Sequence, residues 1–209
     1  MAVSEVSVHD AGGGEPHGSA HATTVGISPA LLGMVLFIAS EVMFFGGLFG
    51  AYFTLRSAAP EWPPPGTIEL DPWYAGVITV ILVSSSFTMQ FGVWAVRRGD
   101  TKGLIRWLII TLLLGAGFLA GQANEYRMLI EEGLTLRSGV FGSTFFTLTG
   151  FHGAHVTGGA IFIFIVLLRA RSRQFTPARH DAVEMASYYW HFVDVVWIGL
   201  FSTIYLLGR

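Results

Sequence analysis

The chain has 209 residues, of which 52% are hydrophobic and 12% are charged, and its formal net charge is −2. Soluble domains carry about 25% charged residues, and here the charges cluster between long apolar runs, so the composition excludes an ordinary soluble protein and predicts a polytopic membrane protein. The chain has no basic arm or stripe suited to nucleic acid, and it has no cysteine, so disulfides, thiolate metal ligands and cysteine nucleophiles are excluded.

Residues 1–28 are rich in Gly, Ser, Thr, Ala and His, contain no Lys or Arg, and are predicted to form a flexible polar tail. The rest of the chain, residues 29–209, is predicted to be one all-α domain, a bundle of five transmembrane helices. Each apolar run reaches the length of about 20 residues that a helix needs to cross the hydrocarbon core. The spans lie at roughly residues 29–55, 73–96, 104–129, 140–168 and 182–207.

Two loops are expected to lie at the membrane interface. Three prolines follow Trp62 and cannot continue a helix, so an extended loop is predicted between the first and second spans. Trp62 and Trp73 in this region suit the headgroup level, where tryptophan is enriched. The loop after the fourth span is the most basic one, and it supplies three further lipid or interface candidates, Arg169, Arg171 and Arg173.

The distribution of basic residues predicts the orientation of the chain. Five spans place the two termini on opposite sides of the membrane, and cytoplasmic loops carry the excess of Lys and Arg. More of these residues lie on the side of the N-terminus, which is therefore predicted to be cytoplasmic, with the C-terminus outside. The N-terminal side holds Arg97, Arg98, Lys102, Arg106, Arg169, Arg171, Arg173 and Arg179, and the other side holds Arg56, Arg127, Arg137 and Arg209.

Several sequence features predict how the helices contact one another. Small residues four apart allow helix backbones to approach closely in lipid, and hydroxyl and amide side chains bond between helices. Ser84, Ser85, Ser86 and Gln90 in the second span are such polar groups. In the third span Gln122 and Glu125 are expected to be wet, close to the interface. The small-residue sets are Gly46 with Gly50, Gly117 with Gly121, and Gly150 with Ala154 and Gly158.

Five ionisable side chains lie well inside three predicted spans, where such groups are costly: Glu41, His152, His155, His191 and Asp194. Three interpretations remain open. A structural hydrogen-bond network is favoured because buried polar groups are normally paired. A metal site is possible in principle because imidazole and carboxylate suit zinc, iron or manganese. A proton or ion path is the third interpretation, since such residues mark relays in pumps.

No catalytic residue is assigned. The sequence has no nucleophile elbow, and the glycine run near the N-terminus lacks the lysine of a phosphate-binding loop. A haem would need axial ligands, and spacing alone leaves His152, His155 and His191 available for that role.

Six sequence blocks, in order from the first span to the last, resemble the cytochrome c oxidase subunit III family of the haem-copper oxidases. The resemblance covers the chain from about Ala30 to the C-terminus. Long members of that family have seven spans, whereas this chain has five, so it is similar to the short bacterial form. The blocks are Ser40–Phe45 (SEVMFF), Trp62–Pro64 (WPP), Gly121–Tyr126 (GQANEY), Phe141–Phe146 (FGSTFF), Thr149–Val156 (TGFHGAHV) and Tyr189–Trp197 (YWHFVDVVW).

The resemblance implies an accessory subunit of a proton-pumping terminal oxidase in the bacterial plasma membrane. It implies that haem and copper belong to partner subunits, with none in this chain and no metal ligand among its residues. The expected partners are oxidase subunit I in direct contact, other subunits including subunit II, bound phospholipid, and in some organisms a respiratory supercomplex. Stabilisation of subunit I and support of proton uptake follow as expectations. The buried polar network is expected to be structural, and Glu41 matches the family's membrane-embedded glutamate.

Two alternatives are kept. The equivalent subunit of a bo-type quinol oxidase also has five spans, but the Trp62-Pro63-Pro64 loop is more similar to the cytochrome c branch. A stand-alone metal-dependent membrane enzyme is the alternative from a different class, and a stoichiometric tightly bound metal would distinguish it.

Overall fold

The computed structural model describes residues 28–207. Within that range the chain forms five long helices, each long and apolar enough to cross a membrane, which confirms the predicted all-α fold. The predicted tail lies outside the described residues except for Ser28, so the division into tail and domain stays a prediction, as does the orientation. The helices are α1 (Pro29–Ala58), α2 (Pro72–Arg97), α3 (Thr101–Glu131), α4 (Val140–Arg171) and α5 (Asp181–Leu200), and α5 continues as a π-helix over Phe201–Leu206.

The first three helices begin where a side chain satisfies free backbone N–H groups. Ser28 Oγ accepts from Leu31 N at 3.3 Å, and Pro29 then occupies the first turn, where its missing N–H has no partner to lose. Asp71 accepts from the first backbone N–H groups of α2, and Asp100 Oδ1 accepts from Gly103 N at 2.8 Å. Local sequence therefore decides these boundaries before any packing does.

The helices α2, α3, α4 and α5 form a ring, and α1 lies outside it against α4 and α5. Half of the α5 span is buried, compared with 6% of the α1 span. The outward face of α1 is strongly apolar, with Leu36 63% exposed and Met43 78% exposed. The bundle therefore presents α1 to the surrounding membrane or to another chain, while α5 supplies much of its core.

Glycine allows close packing at the centre of the ring, and Trp190 of α5 fills the space. A Cβ added at Gly115 would lie 2.8 Å from Trp190 Cη2, and one added at Gly159 would lie 2.9 Å from Trp190 Cε3. Trp190 is fully buried, and its Nε1 donates to Ser85 Oγ at 2.8 Å. The indole ring is thus held between α3 and α4 because both helices lack a side chain where they face it.

The predicted small-residue contacts have mixed outcomes. The α2–α3 contact is confirmed, since a Cβ at Gly121 would lie 2.6 Å from Ile78 Cγ2. The expectation for Gly46 and Gly50 is wrong within the described residues, because nothing lies within 4 Å of a Cβ added at either position. Both glycines point away from the bundle. In α4 the closest packing involves Gly159 rather than the predicted set, whose members Gly150 and Gly158 meet only tyrosine hydroxyls, and whose Ala154 is exposed.

Candidate functional site

Glu41 of α1 and His155 of α4 form a contact on the outer side of the ring. Glu41 Oε2 lies 2.9 Å from His155 Nε2, and His155 Nδ1 lies 2.6 Å from the carbonyl oxygen of Phe151. A carbonyl only accepts, so Nδ1 carries a hydrogen. The contact between Nε2 and the carboxyl group then needs one more proton, held by either partner. The pair has no net charge in both cases, which lowers the cost of placing it in a membrane.

The surroundings of this pair are aromatic, and the pair is not sealed from outside. The side chains of Glu41 and His155 are 19% and 17% exposed. The ring of Phe45 meets the imidazole of His155 edge-on at 4.9 Å, and Phe44 stacks near it at 6.0 Å. The contact therefore joins α1 to α4 while staying accessible at the bundle surface.

A second cluster joins α2 to α5 through Ser86. The hydroxyl of Ser86 donates to Asp194 Oδ2, and its oxygen lies 2.8 Å from His191 Nδ1. A hydroxyl has one hydrogen, so with that hydrogen on the aspartate the serine accepts from His191 Nδ1–H. Asp194 is only 4% exposed, and its Oδ1 makes no hydrogen bond to the described residues. His191 and Asp194, three residues apart on one face of α5, thus both meet the hydroxyl of Ser86.

His152 is placed apart from both clusters. It is fully buried, and neither ring nitrogen has a hydrogen-bond partner within residues 28–207. Its ring stacks on Trp197 at 4.9 Å and meets Phe118 edge-on at 5.7 Å. The expectation that all five ionisable side chains form one paired network is therefore wrong. The cause is helix geometry, because positions 152 and 155 point towards different neighbouring helices.

The three histidines do not converge on a common ligand position. His152 points towards α3 and α5, His155 contacts α1, and His191 contacts α2. In the part of the chain that the structure describes, no group of three or more His, Cys, Asp or Glu residues is placed to hold a metal ion.

Gln122 and Glu125 correct the sequence-based expectation, since both are 4% exposed rather than wet. Gln122 Nε2 donates to the carbonyl oxygen of Thr149 at 3.1 Å, and Tyr205 of the π-helix donates to Glu125 Oε1 at 3.0 Å. Glu125 Oε2 has no partner among residues 28–207. The sequence position near the end of α3 suggested solvent access, but the C-terminal π-helix folds Tyr205 against this carboxyl group.

The two interface tryptophans have different environments. Trp73 is 84% exposed, as suits the headgroup level. Trp62 is half-buried and packs perpendicular to Tyr52, with ring centroids 5.5 Å apart, and against Phe141 at 5.6 Å. Its main contacts are therefore with the bundle.

An open surface cavity of about 600 Å³ lies at the basic loop after α4. Arg169, Arg173 and Arg179 line it together with the apolar side chains of Phe175 and Met185. The guanidinium of Arg169 also lies over the Phe175 ring, 5.0 Å from its centroid. The third predicted arginine of this loop, Arg171, is exposed at the end of α4 and does not line the cavity.

The chain is similar to known proteins over most of its length. A family model described as cytochrome c oxidase subunit III matches residues 13–209. The chain is 54% identical over 179 residues to cytochrome c oxidase subunit 3 of Corynebacterium diphtheriae, covering 84% of this chain and 87% of that one. It is 50% identical over 177 residues to the probable cytochrome c oxidase subunit 3 of Mycobacterium tuberculosis, with the same coverage. The cytochrome c oxidase subunit 3 of Synechocystis is 50% identical over 178 residues, with 85% of this chain and 75% of that one covered.

Proposed function

The chain belongs to the cytochrome c oxidase subunit III family, and on that premise we propose that it is an accessory subunit that stabilises subunit I of a proton-pumping oxidase. The coarser statement is established: a subunit III works within an oxidoreductase complex, and residues 28–207 of this one include five helices able to cross a membrane. The finer proposal includes the bacterial plasma membrane as its location, with the N-terminus cytoplasmic.

The observation that carries the accessory role is that the intramembrane polar clusters join helices in pairs. Glu41 and His155 join α1 to α4, while Ser86 joins α2 to both His191 and Asp194 of α5. Within each cluster the polar side chains bond to one another across two helices, as expected of groups that hold a bundle together. A reaction centre would instead bring such groups towards one position.

The redox centres are proposed to lie in partner subunits. Support comes from the contacts that the histidines already make, since His155 uses both ring nitrogens and His191 uses one. The remaining histidine of the spans, His152, lies between aromatic rings. The relatives are named cytochrome c oxidase subunit 3, and this favours that class over the quinol oxidase and over a stand-alone metal enzyme.

Bound phospholipid is proposed at the basic loop. The cavity of about 600 Å³ offers three arginines for an anionic headgroup, and Phe175 and Met185 for the start of an acyl chain. Support of proton uptake by subunit I is proposed from family membership, since no contact among residues 28–207 argues for it directly.

The test of this function is purification of the tagged full-length chain from native membranes in mild detergent, followed by subunit identification and a haem spectrum. We expect a haem- and copper-bearing partner to co-purify. Asp194→Leu should reduce the amount of assembled complex more than the turnover of each complex that does assemble, because the Ser86 contact is lost. The matched control is Val80→Leu, at a position of α2 that is 65% exposed. Normal assembly of Asp194→Leu with lost turnover would contradict the accessory role.

A further inference from the structure

One face of α5 is left uncovered between α1 and α2. Both of these helices pack against α5, α1 partly through the ring contact of Phe45 with Phe192 and α2 partly through the hydrogen bond from Trp197 to Thr79. Neither helix covers the line of residues that runs between them. This outer stripe of α5 consists of Tyr188, His191, Val195 and Ile198, of which Tyr188, Val195 and Ile198 are 42%, 68% and 47% exposed.

Apolar exposure along this stripe is ordinary for a membrane protein, but the polar atom within it is not. His191 is half-buried, its Nδ1 contacts Ser86 Oγ at 2.8 Å, and its Nε2 makes no hydrogen bond to residues 28–207. His191 lies seven residues beyond Glu184, whose ion pair with the exposed Arg97 belongs to the polar end of the span. At about 1.5 Å per residue this places His191 roughly 10 Å further along the helix, inside the apolar part of the span. Acyl chains at that depth offer no hydrogen bond, and an unsatisfied polar group there is costly.

The contacts within the cluster indicate what His191 lacks. Ser86 engages both Asp194 Oδ2 and His191 Nδ1, which leaves Nε2 as the one ring nitrogen without a partner among residues 28–207. Nε2 accepts when Nδ1 carries the ring hydrogen and donates when Nε2 carries it, so the missing group is a side chain that can do either, a hydroxyl or an amide. Asp194 Oδ1 is also without a partner in that range and Asp194 is 4% exposed.

We propose that the outer stripe of α5 is the docking surface for a transmembrane helix of another polypeptide, which brings one hydroxyl or amide side chain to His191 Nε2. Val195 and Ile198 supply the apolar contact on one side of that bond and Tyr188 on the other. A helix in this position would lie between α1 and α2, where the bundle lacks one. The proposed function supplies only the expectation that this helix belongs to the oxidase; the site itself is inferred from the contacts above.

A photo-crosslinking experiment tests which molecule covers the stripe. The full-length chain is produced in its native membrane with photoreactive benzoylphenylalanine in place of Tyr188, a similar aromatic side chain one turn from His191. Irradiation should join the chain to a second polypeptide, and peptide mapping should place the adduct within a transmembrane segment. Adducts with lipid alone would overturn the proposal.

Three substitutions test the role of Nε2 in the assembled complex. His191→Leu should lower the yield of the co-purified partner by about tenfold, which corresponds to roughly 1.4 kcal/mol. His191→Gln, which retains a hydrogen-bonding side chain, should restore a substantial part of that yield. Ser84→Ala is the matched control, because among residues 28–207 the hydroxyl of Ser84 bonds only to the carbonyl oxygen of Val80 within α2, so it should leave the yield unchanged. Wild-type yield from His191→Leu would overturn the proposal, and so would an equal loss from Ser84→Ala.

The two proposals fail in different ways. An adduct at the stripe with a protein that is not part of an oxidase would keep the docking surface and refute the proposed function. A haem-bearing partner that co-purifies while the stripe gives lipid adducts alone would keep the proposed function and refute the docking surface.

Discussion

Replacing Gly115 by alanine should destabilise the bundle although it adds a single methyl group. The new Cβ would lie 2.8 Å from Trp190 Cη2 and 2.9 Å from Cζ2. Carbon atoms pack at about 3.5–4.0 Å, so the ring or the helix would have to move by about 0.7–1.2 Å. Trp190 is fully buried, and Gly159 leaves no spare space on the opposite side of its ring, where a Cβ would lie 2.9 Å from Cε3.

The expected size of the effect follows from two opposing contributions. Overpacking a tight core typically costs about 1–3 kcal/mol. A shift of the ring would also strain the 2.8 Å hydrogen bond from Trp190 Nε1 to Ser85. Against this, alanine in a helix interior is favoured over glycine by up to about 1 kcal/mol. We therefore expect Gly115→Ala to lower the free energy of unfolding by about 1–2 kcal/mol net.

The assay is equilibrium unfolding of the full-length chain in mixed micelles by titration with a denaturing detergent, followed by tryptophan fluorescence and far-ultraviolet circular dichroism. The matched control is Gly46→Ala, which has the same helix-propensity gain but nothing within 4 Å of the new Cβ. It should be neutral to slightly stabilising, within about 0.5 kcal/mol of the wild type. If Gly115→Ala is as stable as Gly46→Ala, the account of Trp190 packing is wrong.

Three further predictions concern polar contacts. Glu41→Leu should lower the free energy of unfolding by about 1–3 kcal/mol because His155 Nε2 loses its partner. Glu41→Gln should retain most of that stability, and thermal unfolding of the purified complex measures both variants. Tyr205→Phe removes the hydrogen bond to Glu125 and should cost about 1–3 kcal/mol because that carboxyl group is buried, measured by detergent titration. Arg97→Gln breaks a salt bridge whose arginine is 51% exposed, so it should cost at most about 1 kcal/mol and lose its effect in high salt.

Each of these three predictions has a control variant or an outcome that would contradict it. Equal stability of the Leu and Gln variants at Glu41 would show that the pairing with His155 contributes nothing. Tyr188→Phe serves as the control for Tyr205→Phe, because Tyr188 is 42% exposed and its hydroxyl makes no hydrogen bond to a buried carboxyl group within residues 28–207. It should change stability by less than about 0.5 kcal/mol. A loss of several kcal/mol from Arg97→Gln would show that its partner Glu184 is more deeply buried in the membrane-embedded chain than its 17% exposure suggests.

The sequence by itself determined the fold class, the number of spans and the family. Hydropathy over windows of spanning length is a local property, and so is the capping of α1 and α2 by Ser28 and Asp71 next to a proline. The blocks that carry the family resemblance are also contiguous in the chain, so they could be recognised without any knowledge of helix packing.

Only the tertiary structure decided which polar groups meet. Positions 152 and 155 are both histidines in one sequence block. His155 reaches Glu41, which lies 114 positions away, while His152 lies against the rings of Phe118 and Trp197. The same limit applies to Glu125, whose partner Tyr205 is 80 positions away and is brought to it by the π-helix. Hydrophobic periodicity indicates that a residue faces inward, but the partner depends on how the helices are arranged around one another, and that arrangement follows from long-range packing such as Trp190 between two glycines.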